Sequence, residues 1–234
     1  MNKYELKKAF NAAFPNTIPI LAGFLFLGAT YGVYMNISGF SPIYPIVTSV
    51  VVFAGSMEFV LVRLLLSAFD PIGALVMTLM VNARHLFYGI SLLDKYRDCG
   101  KKKIYMIYAL CDESFSINCT LEPPEDVNRS WFYFFITLLN QSYWITGVAI
   151  GAIFGSLVEI KAEGLEFVMT ALLVVIFMDN WLKEKNHTSS VVGLIVTLIC
   201  LIAFGKDSFI IPSMIIIVAV LTFLRGKLEK EGEK

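Results

Sequence analysis

Phe53 to Leu93 reads FAGSMEFVLVRLLLSAFDPIGALVMTLMVNARHLFYGISLL, an apolar run into which Glu58, Arg63, Asn82, Arg84 and His85 are set. A charge at the centre of a bilayer costs about 2.5–3.5 kcal/mol on insertion scales, so such groups face a cavity, a partner or a transport path. The stretch thus marks both a membrane protein and its candidate working site. Asp70-Pro71 divides it. The first part, taken back to Ile46, is long enough to span, but Ala54-Gly55-Ser56 interrupts it beside Glu58. Small residues there predict a broken or re-entrant helix over 46–69 that lines a cavity. Ile72 to Leu93 reads as a full span, with the polar motif Asn82–Ser91 in its second half.

The whole chain supports this reading. Of its 234 residues, 57% are hydrophobic and 16% are charged, where a soluble domain carries about 25% charged residues. Nineteen Lys and Arg balance nineteen Asp and Glu, so no surplus of positive charge recruits nucleic acid, and the placement of the basic residues carries the information. Cys99, Cys111, Cys119 and Cys200 show no CxxC pairing, and His85 and His187 are far apart. A zinc site, a disulfide framework and a cofactor all lack a motif. Lys3, Lys7 and Lys8 precede the apolar run Ile18–Tyr34 as in a signal peptide. The run has the length of a span and no small-x-small cleavage site, so an uncleaved first helix is expected.

Working outward, Asn36–Pro45 is an uncharged turn suited to the outer side, and Asp94–Lys103 is the most basic loop, which the positive-inside rule places in the cytoplasm. Ile104–Cys119 is short and carries Asp112 and Glu113 at its centre, and predicts an interfacial helix. After the polar break Glu122–Asp126 come apolar segments Trp131–Leu157, Phe167–Trp181, Val191–Phe204 and Phe209–Leu224. The expectation is an all-α, polytopic integral membrane protein with about six full transmembrane helices, one re-entrant or broken helix and one interfacial helix, both termini cytoplasmic. Counting 46–69 and 104–119 as crossings gives about eight and puts Lys95–Lys103 outside, against the same rule. One membrane domain covers 1–234. A weak internal echo relates 15–119 to 130–225, through Met57–Leu65 and Leu165–Leu173, although apolar helices share a small alphabet. Gly28 and Gly32, and Gly147, Gly151 and Gly155, recur every fourth residue as in close helix packing.

On a helix, Arg84, Tyr88 and Ser91 share one face with His85 beside them, while Asn82 and Gly89 adjoin it. The guanidinium either receives a carboxylate in bidentate geometry or snorkels to pin the cytoplasmic helix end. Glu58 is five residues from Arg63 and is not its natural partner. It is either a proton-exchanging carboxyl, since desolvation disfavours the charged form, or a neutral packing acid. Asp112 and Glu113 read as path residues or as solvated capping groups. Asn140, Gln141, Tyr143 and Trp144 read as a buried polar cluster or an interfacial belt. HExxH, GxSxG and GxxxxGK[ST] are absent, so no catalytic residue is assigned and transport is favoured over enzymology. A non-transporting scaffold that uses its polar residues for assembly is the alternative.

Phe53-Ala54-Gly55-Ser56-Met57-Glu58-Phe59, Asn82-Ala83-Arg84-His85-Leu86-Phe87-Tyr88-Gly89-Ile90-Ser91-Leu92, Asp112-Glu113-Ser114-Phe115 and Gly164-Leu165-Glu166-Phe167 occur in this order. The chain thereby resembles AzlC-type branched-chain amino acid permeases over about 15–204. The resemblance implies a gradient-driven exporter of valine, leucine, isoleucine and methionine, working with a small AzlD-type membrane subunit. The path residues it suggests are Gly55, Ser56, Glu58, Asn82, Arg84, His85, Tyr88, Asp112, Glu113, Asn140, Gln141 and Trp144. The chain departs from the family pattern at Glu58, where that motif carries glutamine.

Overall fold

The computed structural model describes residues 3–157 and 187–205, together with 171, 174, 177–178, 181–182, 209, 212–213, 215–217 and 219–223, and the backbone alone at 80, 83 and 86. Every regular element among these is helical. The chain divides into two compact units, Met1–Leu165 and Glu166–Lys234. The first holds α1 (Lys3–Ile37), α2 (Ile43–Val51), α3 (Gly55–Leu66), α4 (Pro71–Ser91), α5 (Lys102–Tyr108), α6 (Asp112–Thr120) and α7 (Arg129–Leu157). The second holds α8 (Thr188–Phe204), ended by Gly205 at φ +73. The expected span 167–181 is helical at 171, 174, 177–178 and 181, and the span 209–224 at 212–213, 215–217 and 219–223. The rest of both, with most of the second arm of the echo, lies outside the described residues.

α1 begins about four turns before its apolar stretch. Residues 3–17 extend it with a packed stripe of small residues: Ala9, Ala13 and Thr17, four apart, are fully buried, and the two alanines join a core with Tyr96, Met106, Tyr133 and Ile136. Pro15 and Pro19 lie inside the helix, where each removes a main-chain donor. Side chains add bonds in this turn: the Asn16 amide donates to the Ala12 carbonyl and the Thr17 hydroxyl to that of Phe14, both at 2.8 Å. By length and composition α1 can cross a bilayer, and α8 is a shorter apolar helix.

The glycine rows form one seam. A Cβ at Gly28 would stand 2.7 Å from the Trp144 carbonyl oxygen, and one at Gly147 would stand 2.6 Å from that of Leu25. Gly32 and Gly151 meet the facing backbone more closely still. α1 and α7 therefore touch main chain to main chain, which only side-chain-free positions allow.

Both polar segments are broken. Helix 46–69 parts at 52–54, between α2 and α3, with Phe53 at φ +40 and Ala54 as the N-cap. Residues 104–119, expected as one interfacial helix, instead form α5 and α6 about a break at 109–111. The acidic pair behind that expectation stands in the first turn of α6, where the positive end of the helix dipole favours carboxylates. Asp70 starts α4 by accepting the Gly73 N–H at 2.9 Å, with Pro71 at the first helical position.

Beyond the helices, Glu122 ties the connections together. Its carboxylate meets Lys95 Nζ at 3.0 Å and Arg129 at 3.7 Å, and Lys8 pairs with Asp126. Lys95 also donates to the Cys119 carbonyl at 2.7 Å, closing the C-terminal end of α6. The ammonium beside it holds the Glu122 carboxyl below the usual carboxylate range.

Candidate functional site

Three polar groupings form where the broken helices meet α4 and α7. In the first, Glu58 reaches back from the opening of α3 and accepts the Ala54 N–H at 3.1 Å. Trp144 Nε1 on α7 lies 3.1 Å from both of its oxygens. Glu58 is 0% exposed. Gly55 lets the indole lie against α3, because a Cβ there would stand 3.2 Å from Trp144 Cη2. The carboxylate thus fastens the first break to the long helix.

In the second, Arg84 on α4 reaches the first turns of both half-helices. Its Nη2 is 2.9 Å from Asp112 Oδ2 at the start of α6 and 3.4 Å from the Ser56 hydroxyl at the start of α3. The side chains of Arg84 and Asp112 are 41% and 28% exposed, so the bridge is open to approach. One turn along α4, Tyr88 stacks on Phe115 of α6 with ring centres 4.2 Å apart. His85 Nδ1 lies 3.3 Å from the Asn82 carbonyl, and its ring meets Tyr88 edge-on.

In the third, buried Asn140 on α7 donates to the Ser114 hydroxyl at 3.0 Å, and Cys111 Sγ lies 3.2 Å from the same oxygen. Nearby, the Tyr105 hydroxyl donates to Gln141 Oε1. The breaks are joined by Tyr108, whose hydroxyl donates to the Val50 and Val51 carbonyls, the latter at 2.8 Å. These carbonyls end α2 and have no partner within their own helix. A side chain from the end of α5 supplies it.

The candidate residues therefore divide. Gly55, Glu58 and Trp144 meet in one group, Ser56, Arg84 and Asp112 in another, while Asn140 attaches to α6 and Gln141 to α5. His85 and Tyr88 lie on α4 on or next to the face of Arg84, Asn82 lies on the same helix but is turned well away from it, and Glu113 follows Asp112 in the first turn of α6. Ser91 is apart, bonding the Phe87 carbonyl within its own helix. Arg63 sits exposed in the last turn of α3, where a cation complements the dipole. Sequence reasoning missed the roles of Tyr105, Tyr108 and Cys111. Ser114 and Phe115 had a signal in the Asp-Glu-Ser-Phe block. Among the described residues no group of three His, Cys, Asp or Glu is placed to hold a metal ion.

Comparison with known proteins places the chain in a family. A profile described as AzlC protein matches residues 19–158. The chain is 60% identical over 231 residues to the branched-chain amino acid transport protein AzlC of Bacillus subtilis, covering 98% of this chain and 91% of that protein. It is 44% identical over 229 residues to a membrane protein of Haemophilus influenzae, covering 97% and 94%. Inner membrane protein YgaZ of Escherichia coli is 25% identical over 180 residues, covering 75% and 73%. No solved structure matches. With a family profile across more than half its length and a relative this similar across nearly all of it, the chain is a membrane protein of the AzlC family.

Proposed function

We propose that the protein is a secondary transporter that exports branched-chain and other hydrophobic amino acids (valine, leucine, isoleucine and methionine) across the cytoplasmic membrane, driven by the ion or proton gradient. The observation that carries this reading is the Arg84 bridge. One guanidinium joins the openings of two broken helices at a partly exposed position, and interrupted helices of this kind supply binding groups in transporters. The name of the Bacillus subtilis relative supports the substrate class. The path runs between α3, α4, α6 and α7 and includes the twelve residues singled out by sequence. Glu58 is the group whose protonation follows transport, and a small AzlD-type membrane subunit completes the assembly. No enzymatic step and no nucleic acid enter.

The topology proposed with it has about six crossings, with 46–69 re-entering from outside and both termini and Lys95–Lys103 in the cytoplasm. Cys99, at 2% exposure, is a poor reporter. A cysteine at exposed Lys101, in an otherwise cysteine-free chain, is expected to resist membrane-impermeant reagents applied to intact cells; labelling from outside rejects this topology. Counterflow of labelled leucine in vesicles holding the chain, with and without the small subunit, tests transport. Exchange above empty vesicles is expected. Stable assembly of both chains without exchange favours a scaffold.

A further inference from the structure

We infer that Arg84 and Asp112 together read the two charges of an amino-acid headgroup. The guanidinium takes the carboxylate, Asp112 takes the ammonium, and their bridge parts to admit the zwitterion. This rests on the transport reading and deepens it. The two side chains meet at 2.9 Å and remain partly exposed, whereas Glu58 is sealed against Trp144. A ligand can reach the former pair without dismantling a buried contact.

At the bridge itself, Asp112 Oδ1 is an enclosed acceptor without a donor. Fully buried Asn140 on α7, whose amide donates to Ser114 two residues further along α6, carries a second such oxygen. Enclosed acceptors left unmatched are costly, and an ammonium brings three donors and no acceptor. The guanidinium has the opposite character, with a planar fork of donors suited to a carboxylate.

Selectivity follows from pairing. An acid without an amine satisfies Arg84 only by displacing Asp112 and leaving that carboxylate unmatched. An amine without an acid strands Arg84 in the same way. Only a molecule carrying both charges replaces both halves of the bridge. The stacked rings of Tyr88 and Phe115 lie one turn from Arg84 and three residues from Asp112, an apolar surface for an aliphatic side chain.

The test is competition against labelled leucine counterflow in vesicles from cells making the full chain and the small subunit, in sodium and in choline media. The competitors are leucine, 4-methyl-2-oxopentanoate, which lacks the amine, and 3-methylbutylamine, which lacks the acid. Leucine is expected to compete in both media, and each analogue to be weaker by roughly 100-fold, because a charged group left without its partner forfeits the bond and keeps its desolvation cost. Asp112→Asn should weaken leucine by roughly tenfold and strengthen the oxo acid, because Arg84 is then free. Should that variant fail to insert, the wild-type analogue series decides alone. An oxo acid that competes as well as leucine overturns the inference while transport stands. So does leucine competition that disappears in choline together with discrimination between the analogues, since the enclosed oxygens then hold sodium. Absence of any leucine counterflow removes the transport reading itself and this inference with it.

Discussion

The seam between α1 and α7 and the junction of the two broken helices use opposite means to hold helices together. At the seam, glycines bring main chains into contact with no charge involved. At the junction, the helices are held by side chains that cross between them, Glu58 to Trp144, Arg84 to Asp112, and Tyr108 to the end of α2. Backbone contact at glycine has one arrangement, because any sliding drives carbonyls into Cα atoms. Hydrogen bonds and ion pairs between side chains can be exchanged for others at little net cost. The difference separates a frame from the parts able to rearrange against it.

The largest effect belongs to the frame. Gly151→Leu pushes a side chain into the Ala29 backbone, and overpacking this severe should cost at least about 3 kcal/mol, seen as lost folded protein after detergent extraction. Gly23→Ala, with open space around the new methyl, is the control and should change the melting curve by less than about 1 kcal/mol. Next comes Glu58. Glu58→Leu leaves the Ala54 N–H and the Trp144 indole unpaired, at about 2–3 kcal/mol, while Glu58→Gln keeps one acceptor for both donors and should fold normally. Export by Glu58→Gln measured across a pH series should persist with a flattened profile, and an unchanged profile excludes Glu58 as the titrating group.

Arg84→Gln should abolish counterflow yet cost under about 1 kcal/mol of stability, since the ion pair is partly solvated. Arg84→Lys should rescue poorly, having no planar fork. A stability loss as large as that of Gly151→Leu would move Arg84 into the frame and break the comparison. The smallest effect is at Glu122. Lys95 holds its carboxyl below the usual range, so its contribution is present at neutral pH and fades as pH falls through the folded-state value. Glu122→Gln should differ from the parent by under about 1 kcal/mol at neutral pH and match it in strong acid.

Much of this was legible from residue order. The glycine spacing announced the seam because a four-residue period has few other uses in an apolar helix. Ala54-Gly55-Ser56 announced the first break to within about two residues, and the flank of α4 bearing Arg84 and Tyr88 follows from helical geometry alone. The second break was hidden. Acidic residues mid-segment look the same whether they lie at an interface or open a new helix, and Ala109-Leu110-Cys111 contains no glycine or proline to mark the interruption. Partners across helices were also invisible. Nothing near Tyr108 points to Val51, and only the fold brings residues 57 positions apart together.

Phe53 gives the first break a mechanical meaning. A residue with a Cβ at φ +40 holds about 1–2 kcal/mol relative to right-handed helix, and glycine would relieve that tension. The ring is buried, however, so the position trades backbone ease for an anchor. The Tyr108 hydroxyl on α2 and the Glu58 carboxylate on Ala54 hold the break open like two fingers on a bent spring. Release either, and the strain stored at Phe53 has one support fewer.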